Sequence, residues 1–290
     1  MNISYDSPAA VKSIKKFIVD ALNEDVRDGD HTSIATIDAD ATNKARCLIK
    51  DDGILAGVEF AKYVFDQVDP KYKIDIRFND GDQVVKGNEA FYVECKSRSL
   101  LTGERLVLNM MQRMSGIATM SKQFAEEVKG TNTKILDTRK TTPLLRFFEK
   151  WAVKIGGCEN YRFGLYDWIM IKDNHVDACG SHEKAIKRVH EYFKKTGVEL
   201  GITVEVRNLD ELREVLSVGG ITQVMFDNFS VEEVAKAVEI VGGKYKTEAS
   251  GGMTLPVIKS YAETGLDYIS VGALTHSFKS MDISLKVMKD

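Results

Sequence analysis

Six short apolar runs decide the fold: KILDTRK (134–140), WIMIKDN (168–174), GITVEVRN (201–208), ITQVMFDN (221–228), YKTEASGG (245–252) and YISVGALT (268–275). Between several of them lie segments with helical spacing of apolar residues, at 181–195, 210–219, 230–241 and 255–265. Apolar strands alternating with helices imply parallel strands joined by right-handed crossovers. Six such units in about 150 residues predict a closed or nearly closed α/β barrel, smaller than eight full units. An open doubly wound sheet is the structural alternative.

Ahead of these runs the pattern differs. Val11, Ile14, Phe17, Ile18 and Leu22 recur at helical spacing over residues 8–22. ARCLIK (45–50), YKIDIRF (72–78) and EAFYVEC (89–95) read as strands, with turns at DDG (51–53) and NDGD (79–82) and a helix at 61–68. A long helix is predicted from Thr102 to Gly130, its Met-rich face read as core packing. The first third is therefore strands with a helix against them, followed by the barrel.

Nearly every apolar run of the barrel ends in groups able to do polar chemistry. KILD ends at Arg139 and Lys140, and WIMI at Lys172, Asp173, Asn174 and His175. ITVEV carries Glu205 and ends at Arg207; VMF ends at Asp227 and Asn228. KTEAS ends at Ser250, Gly251 and Gly252, and YISV at Gly272. In a parallel barrel the C-terminal strand ends open on one face, where active sites are built. These residues should converge there, although any one of them alone is no more than a strand end meeting solvent.

The residue types suggest a division of labour. Arg139, Lys140, Arg162 and Lys172 can bind carboxylates or phosphates, Arg bidentately and Lys as a point charge. Glu205 and Asp227 beside a phosphate-bearing substrate suit Mg²⁺, with an acid–base pair as the competing reading. Ser250-Gly251-Gly252 ahead of a helical segment lets backbone N–H groups approach a phosphate. His182 and His190 fall on a predicted helix and read as surface or packing residues, whereas His31, His175 and His276 neighbour functional-looking segments. Dinucleotide-binding, P-loop, zincin and nucleophile-elbow patterns are absent.

Composition narrows the class further. With 290 residues and 43% apolar side chains, a sizeable core is expected. A net charge of −3 argues against a nucleic-acid partner, which would favour a basic chain. No stretch of 18 apolar residues predicts a membrane span, and the N-terminus has no signal-peptide run. Cys47, Cys95, Cys158 and Cys179 are widely spaced and read as free thiols of a cytoplasmic protein.

An ordered set of motifs then carries a resemblance. Leu22-Asn23-Glu24-Asp25, Gly29-Asp30-His31-Thr32-Ser33, Asp52-Gly53-Ile54-Leu55-Ala56-Gly57, Leu101-Thr102-Gly103-Glu104-Arg105 and Gln112-Arg113-Met114-Ser115-Gly116 precede the barrel. Asp137-Thr138-Arg139-Lys140, Gly164-Leu165-Tyr166-Asp167, Lys172-Asp173-Asn174-His175, Glu205-Val206, Asp227-Asn228 and Ser250-Gly251-Gly252 follow. In this order, over nearly the whole chain, they resemble the quinolinate phosphoribosyltransferases, also called carboxylating nicotinate-nucleotide pyrophosphorylases.

The resemblance implies an N-terminal α/β sandwich (1–112) rejoined by the C-terminal tail (about 276–290), and an incomplete α/β barrel at 113–275. It implies transfer of phosphoribosyl from phosphoribosyl pyrophosphate to quinolinate with decarboxylation, aided by Mg²⁺. It implies a homodimer, possible further assembly aside, in which Arg105 reaches the partner's site. Arg105, Arg139, Lys140, Arg162 and Lys172 would hold quinolinate and pyrophosphate. Glu205 and Asp227 would hold ribose and metal, with Lys140 and Lys172 beside them at the reacting centre. Ser250, Gly251, Gly252 and Gly272 would take the 5′-phosphate. One position departs from the pattern: Tyr161 stands where the family usually has His, and its hydroxyl is expected to donate to a substrate carboxylate, the alternative being that its ring packs against the barrel wall and Arg162, Arg139 and Lys172 alone hold the substrate. A transferase for another small acid, as in the related molybdenum-transport branch, and a non-catalytic phosphate-sugar binder are the rival readings.

Overall fold

The structure, a computed structural model, describes residues 4–288. Contacts group the chain into two units. One comprises the chain up to Lys122, Phe147–Gly157 and the chain from Phe278 on; the other comprises Gln123–Arg146 and Cys158–Ser277.

The first unit begins with α1 (Pro8–Val26), which starts where Ser7 accepts from the Ala10 amide and Pro8 fills the first turn. It continues with α2 (His31–Thr36), β1 (Thr42–Ile49), β2 (Gly53–Ile54), α3 (Val58–Val68), β3 (Lys73–Ile76), β4 (Gln83–Val84), β5 (Glu89–Lys96) and α4 (Ser97–Glu127). α4 starts five residues before the expected Thr102, and the expected boundary at 112/113 lies within this one continuous helix. β1 alternates exposed and buried positions, as a strand with one covered face must. The last strand of the chain, β12 (Ile283–Val287), pairs antiparallel with β1, giving the sheet order β12-β1-β5-β3. Of the tail at 276–290, residues 289 and 290 lie outside the described residues. In the same unit Phe148 packs against Phe17 and Phe60, with ring centroids 4.6 and 5.3 Å away.

The second unit is the parallel one. Its elements are β6 (Lys134–Leu136), α5 (Arg146–Ile155, only its first residue here), β7 (Ile169–Ile171), α6 (Asp173–Cys179), α7 (His182–Thr196), β8 (Ile202–Val206), α8 (Leu209–Val218), β9 (Gln223–Asp227), α9 (Val231–Val241), β10 (Lys246–Ser250), α10 (Leu255–Ala262), β11 (Tyr268–Ser270) and α11 (Ala273–His276). The helices start where the sequence provides caps: Ser181 before α7, Asn208 before α8, and a Ser230/Glu233 capping box before α9.

The strand order is β7-β8-β9-β10-β11-β6, all parallel. The first strand thus neighbours the last, so the sheet curls round without the order reversal of a doubly wound sheet. β6 and β7 do not pair, and the barrel stays open between them. This is the incomplete barrel expected from the sequence. β8 is buried at all five positions, as a strand covered on both faces must be.

Candidate active site

The C-terminal strand ends surround a cavity of about 950 Å³. Arg139 and Lys140 follow β6, Tyr161 and Arg162 precede β7, and Lys172 follows it. Asp227 and Asn228 end β9, Ser250 to Gly252 end β10, and Gly272 follows β11. Ten of the twelve residues singled out from the sequence line this one space. Glu205 stands behind it, 6% exposed, and reaches it through Lys172, whose Nζ lies 2.9 Å from Glu205 Oε2. Arg105 is exposed on α4 and does not line the cavity.

One wall is cationic and strained by its own charge. Burial, reinforced by the neighbouring Arg139 charge, lowers the Arg162 pKa. Arg139 Nε is buried without a hydrogen-bond partner among the described residues. Two guanidiniums held close with an unspent donor form a site that an incoming dianion would relieve. Lys140 lies over Gly272: a Cβ there would sit 3.0 Å from Lys140 Cδ. Thr275 Oγ1 donates to the Lys140 carbonyl at 2.8 Å and fixes that turn.

The opposite wall is acidic. Burial first, then the Glu205 charge, lifts the Asp227 carboxyl above the usual carboxylate range. Asn228 Nδ2 donates to Asp227 Oδ2 at 2.8 Å. Among the described residues no group of three metal-ligating side chains stands together. A divalent cation with phosphate and water as its remaining ligands needs only a few protein oxygens, and the raised Asp227 carboxyl is a group such a cation would relieve. The donor set therefore fits Mg²⁺ through Asp227, with Glu205 behind it already paired to Lys172.

Between these walls lies a backbone cradle. Gly251 has φ +94° and Gly252 φ +62°, a region that favours glycine. A Cβ on Gly251 would stand 2.2 Å from Asn228 Oδ1, so the close approach also requires glycine. The loop leads into α10, where Pro256 has no N–H and the Val257 and Ile258 amides donate to the Thr254 carbonyl, so the cradle rests on the glycine loop itself.

Tyr161 lines the cavity, and its hydroxyl has partners that the sequence did not indicate. Its hydroxyl is 2.5 Å from Thr203 Oγ1, receives a bond from Gln223 Nε2 at 3.3 Å, and hydrogen-bonds the Glu248 carboxyl. It is committed to a buried polar cluster, because Tyr161 extends inward above β8, β9 and β10 and meets the polar side chains there.

The other residues considered from the sequence have surroundings of their own. Arg207 pairs with Glu211 and Asp177. His175 Nδ1 accepts from the Lys172 amide at 3.0 Å and caps α6. His182 is buried beside Glu214, His31 is exposed beside Asp28, and His276 lines the cavity. Sequence reasoning missed Glu248, Gln223, Thr203 and Ser270. The available signal was a polar residue at a barrel-facing position inside an apolar run.

The C-terminal domain of quinolinate phosphoribosyl transferase matches residues 117–286, and its N-terminal domain matches residues 30–115. The chain is 44% identical over 289 residues to quinolinate phosphoribosyltransferase [decarboxylating] 1b of Nicotiana tabacum, covering 94% of this chain and 82% of that protein. It is 42% identical over 274 residues to the probable nicotinate-nucleotide pyrophosphorylase [carboxylating] of Bacillus subtilis (strain 168), covering 94% and 93%. The crystal structure of NadC from Streptococcus pyogenes superposes with a TM-score of 0.90 at 35% identity, covering all of both chains. With both domains matched in order and relatives of this identity along nearly its full length, the chain belongs to the quinolinate phosphoribosyl transferase family.

Proposed function

We propose that this chain transfers the phosphoribosyl group of phosphoribosyl pyrophosphate to quinolinate, yielding nicotinate mononucleotide, pyrophosphate and carbon dioxide. The observation that carries the reading is the cavity that joins a cationic wall to a glycine cradle and the Asp227 carboxylate. Arg139 and Arg162 hold the two carboxylates of quinolinate by bidentate hydrogen bonds. Lys140 and Lys172 face the pyrophosphate and the developing charge. Ser250, Gly251, Gly252 and Gly272 take the 5′-phosphate at the mouth of α10.

The ring nitrogen of quinolinate needs no general base, being unprotonated near neutral pH. It attacks the anomeric carbon as pyrophosphate leaves. Mg²⁺, held by Asp227 with Glu205 behind it, would neutralise the pyrophosphate charge when bound. The ribosylated nitrogen is positive and accepts the electron pair left on the adjacent ring carbon as carbon dioxide departs. The fixed cations do this in a site whose lining includes the apolar Met170, Met225 and Met253, beside which each contact gains strength.

The proposed working form is a homodimer. Arg105, exposed on α4 and outside the cavity of its own chain, is read as serving the partner's site, in line with the family pattern. Leu144, Leu165 and Tyr166, at 91%, 71% and 73% exposure, support a subunit contact on the barrel unit. The proposed compartment is the cytoplasm, which four free cysteines support. Among the described residues no helix is long and apolar enough to cross a membrane.

Turnover with quinolinate against nicotinate tests the reading. Carbon dioxide release that requires phosphoribosyl pyrophosphate supports it. Phosphoribosylation of nicotinate with quinolinate inert would assign the chain to another acid, and binding without turnover of either would make it a non-catalytic binder.

A further inference from the structure

Decarboxylation leaves an electron pair on the ring carbon next to the ribosylated nitrogen, and that carbon must receive a proton. The cationic wall is a poor source, because each ammonium or guanidinium that gives up its proton also gives up its hold on an anion. Lys172 is in addition paired with Glu205. The barrel interior contains another proton carrier.

Glu248, on β10, is fully buried. Its carboxyl is hydrogen-bonded by Ser270 Oγ, Gln223 Nε2 and the Tyr161 hydroxyl. Burial dominates its titration and pushes its pKa up to about 7, so a large share of the groups carry a proton near neutral pH. Two of its three partners, Tyr161 and Ser270, line the 950 Å³ cavity. Tyr161 and the third partner, Gln223, also line a separate cavity of about 170 Å³ with Lys134, Glu159 and Asn160. That volume holds a few waters, each taking about 30 Å³, among several polar groups. Glu248 is thus linked to the substrate cavity on one side and to a polar chamber on the other.

We propose that Glu248, acting through the Tyr161 hydroxyl, supplies the proton that quenches the ring carbanion after carbon dioxide leaves. The inference rests on the function proposed above. In the step, the carbon–carboxyl bond breaks and its electron pair stays on the ring carbon. That pair takes the Tyr161 hydroxyl proton, and Tyr161 takes the Glu248 proton in the same event. Tyr161 ends neutral, Glu248 ends as carboxylate, and water in the smaller chamber returns a proton to it. The raised Tyr161 pKa, which burial and the Glu248 charge cause, fits a hydroxyl that passes a proton on and does not remain ionised. Without this donor the carbanion recaptures carbon dioxide, and the second half of the reaction stalls.

The test is rapid-quench analysis of a single turnover, reading pyrophosphate and carbon dioxide separately for the wild-type chain, Tyr161→Phe, Glu248→Gln and Ser270→Ala. For Tyr161→Phe and Glu248→Gln, pyrophosphate release should stay within severalfold of wild type. Carbon dioxide release should fall on the order of a hundredfold, with the carboxylated mononucleotide accumulating. A structural role would slow both products together, and that result overturns the proposal, as does carbon dioxide release at the wild-type rate. Separation of the two products in Ser270→Ala but not in Tyr161→Phe overturns the route through Tyr161. Should Glu248→Gln fail to fold, Tyr161→Phe decides alone. A wild-type chain that releases neither product refutes the function itself, which keeps the two failures apart.

Discussion

Asn228, held in the left-handed region at φ +57°, donates its side-chain amide to the Asp227 carboxylate at 2.8 Å. Its backbone amide donates to the Ser250 carbonyl at 2.9 Å, and its side chain fills the space beside Gly251. One residue therefore ties the carboxylate wall to the phosphate cradle, in a conformation that costs about 1 kcal/mol or more for a non-glycine residue. Strain of this kind persists where the surroundings enforce it.

Asn228→Gly separates stability from function at this link. Glycine adopts the same φ without strain, which offsets part of the roughly 1.5–3 kcal/mol lost with the hydrogen bond to Asp227, so the thermal midpoint should fall only slightly. With Asp227 no longer held against the cradle, affinity for phosphoribosyl pyrophosphate should fall by about tenfold or more. Calorimetric binding beside a melting curve checks both halves; unchanged affinity would remove Asn228 from the site.

Gly251→Ala should cost stability as well as affinity. Its Cβ would meet Asn228 Oδ1 at 2.2 Å on a backbone at φ +94°. Stability should drop by about 1–3 kcal/mol and phosphate affinity should fall with it. Inorganic phosphate competition and a melting curve are the readouts.

The metal assignment gives a sharper expectation. Asp227→Asn should weaken phosphoribosyl pyrophosphate binding more than quinolinate binding, and excess chelator should abolish turnover. Full activity in chelator would return Glu205 and Asp227 to an acid–base role.

Glu248 also makes stability depend on pH. Its carboxyl titrates at about 7 in the folded chain against an ordinary 4.5. The folded state holds a proton that the unfolded state has released, so the stabilisation is complete below about pH 4.5 and is lost as pH rises through about 7. The difference corresponds to on the order of 3 kcal/mol. Denaturant unfolding at about pH 5 and about pH 8 should show wild type losing that much more than Glu248→Gln. Equal losses would mean that Glu248 stays ionised throughout.

Much of this was legible in the sequence, and for a physical reason. Parallel barrel strands are apolar runs that end at one face, so Arg139, Lys140, Lys172, Asp227 and Ser250 announced a common site. The Tyr161 hydroxyl was not legible. Its partners Thr203 and Gln223 lie 42 and 62 residues away along the chain, and only the register of β8 to β10 brings them under it. The grouping of Phe147–Gly157 with the sheet unit was hidden as well, because the rings of Phe17 and Phe60 that receive Phe148 lie far back in the sequence.

Subunit sharing can be examined by mixing. Arg105→Ala and Lys140→Ala should each be nearly inactive as pure dimers. If Arg105 serves the partner's cavity, mixed dimers hold one site with both residues intact and regain activity. Verified mixed dimers without rescue would confine Arg105 to another role.

The central claim is that one cavity performs both phosphoribosyl transfer and decarboxylation on quinolinate. The most direct measurement follows quinolinate labelled in the carboxyl beside the ring nitrogen, with phosphoribosyl pyrophosphate and Mg²⁺. Pyrophosphate, labelled carbon dioxide and nicotinate mononucleotide should form in equal amounts and only with all three components present. Pyrophosphate release with the label retained in the nucleotide, or no reaction with quinolinate at all, would contradict it.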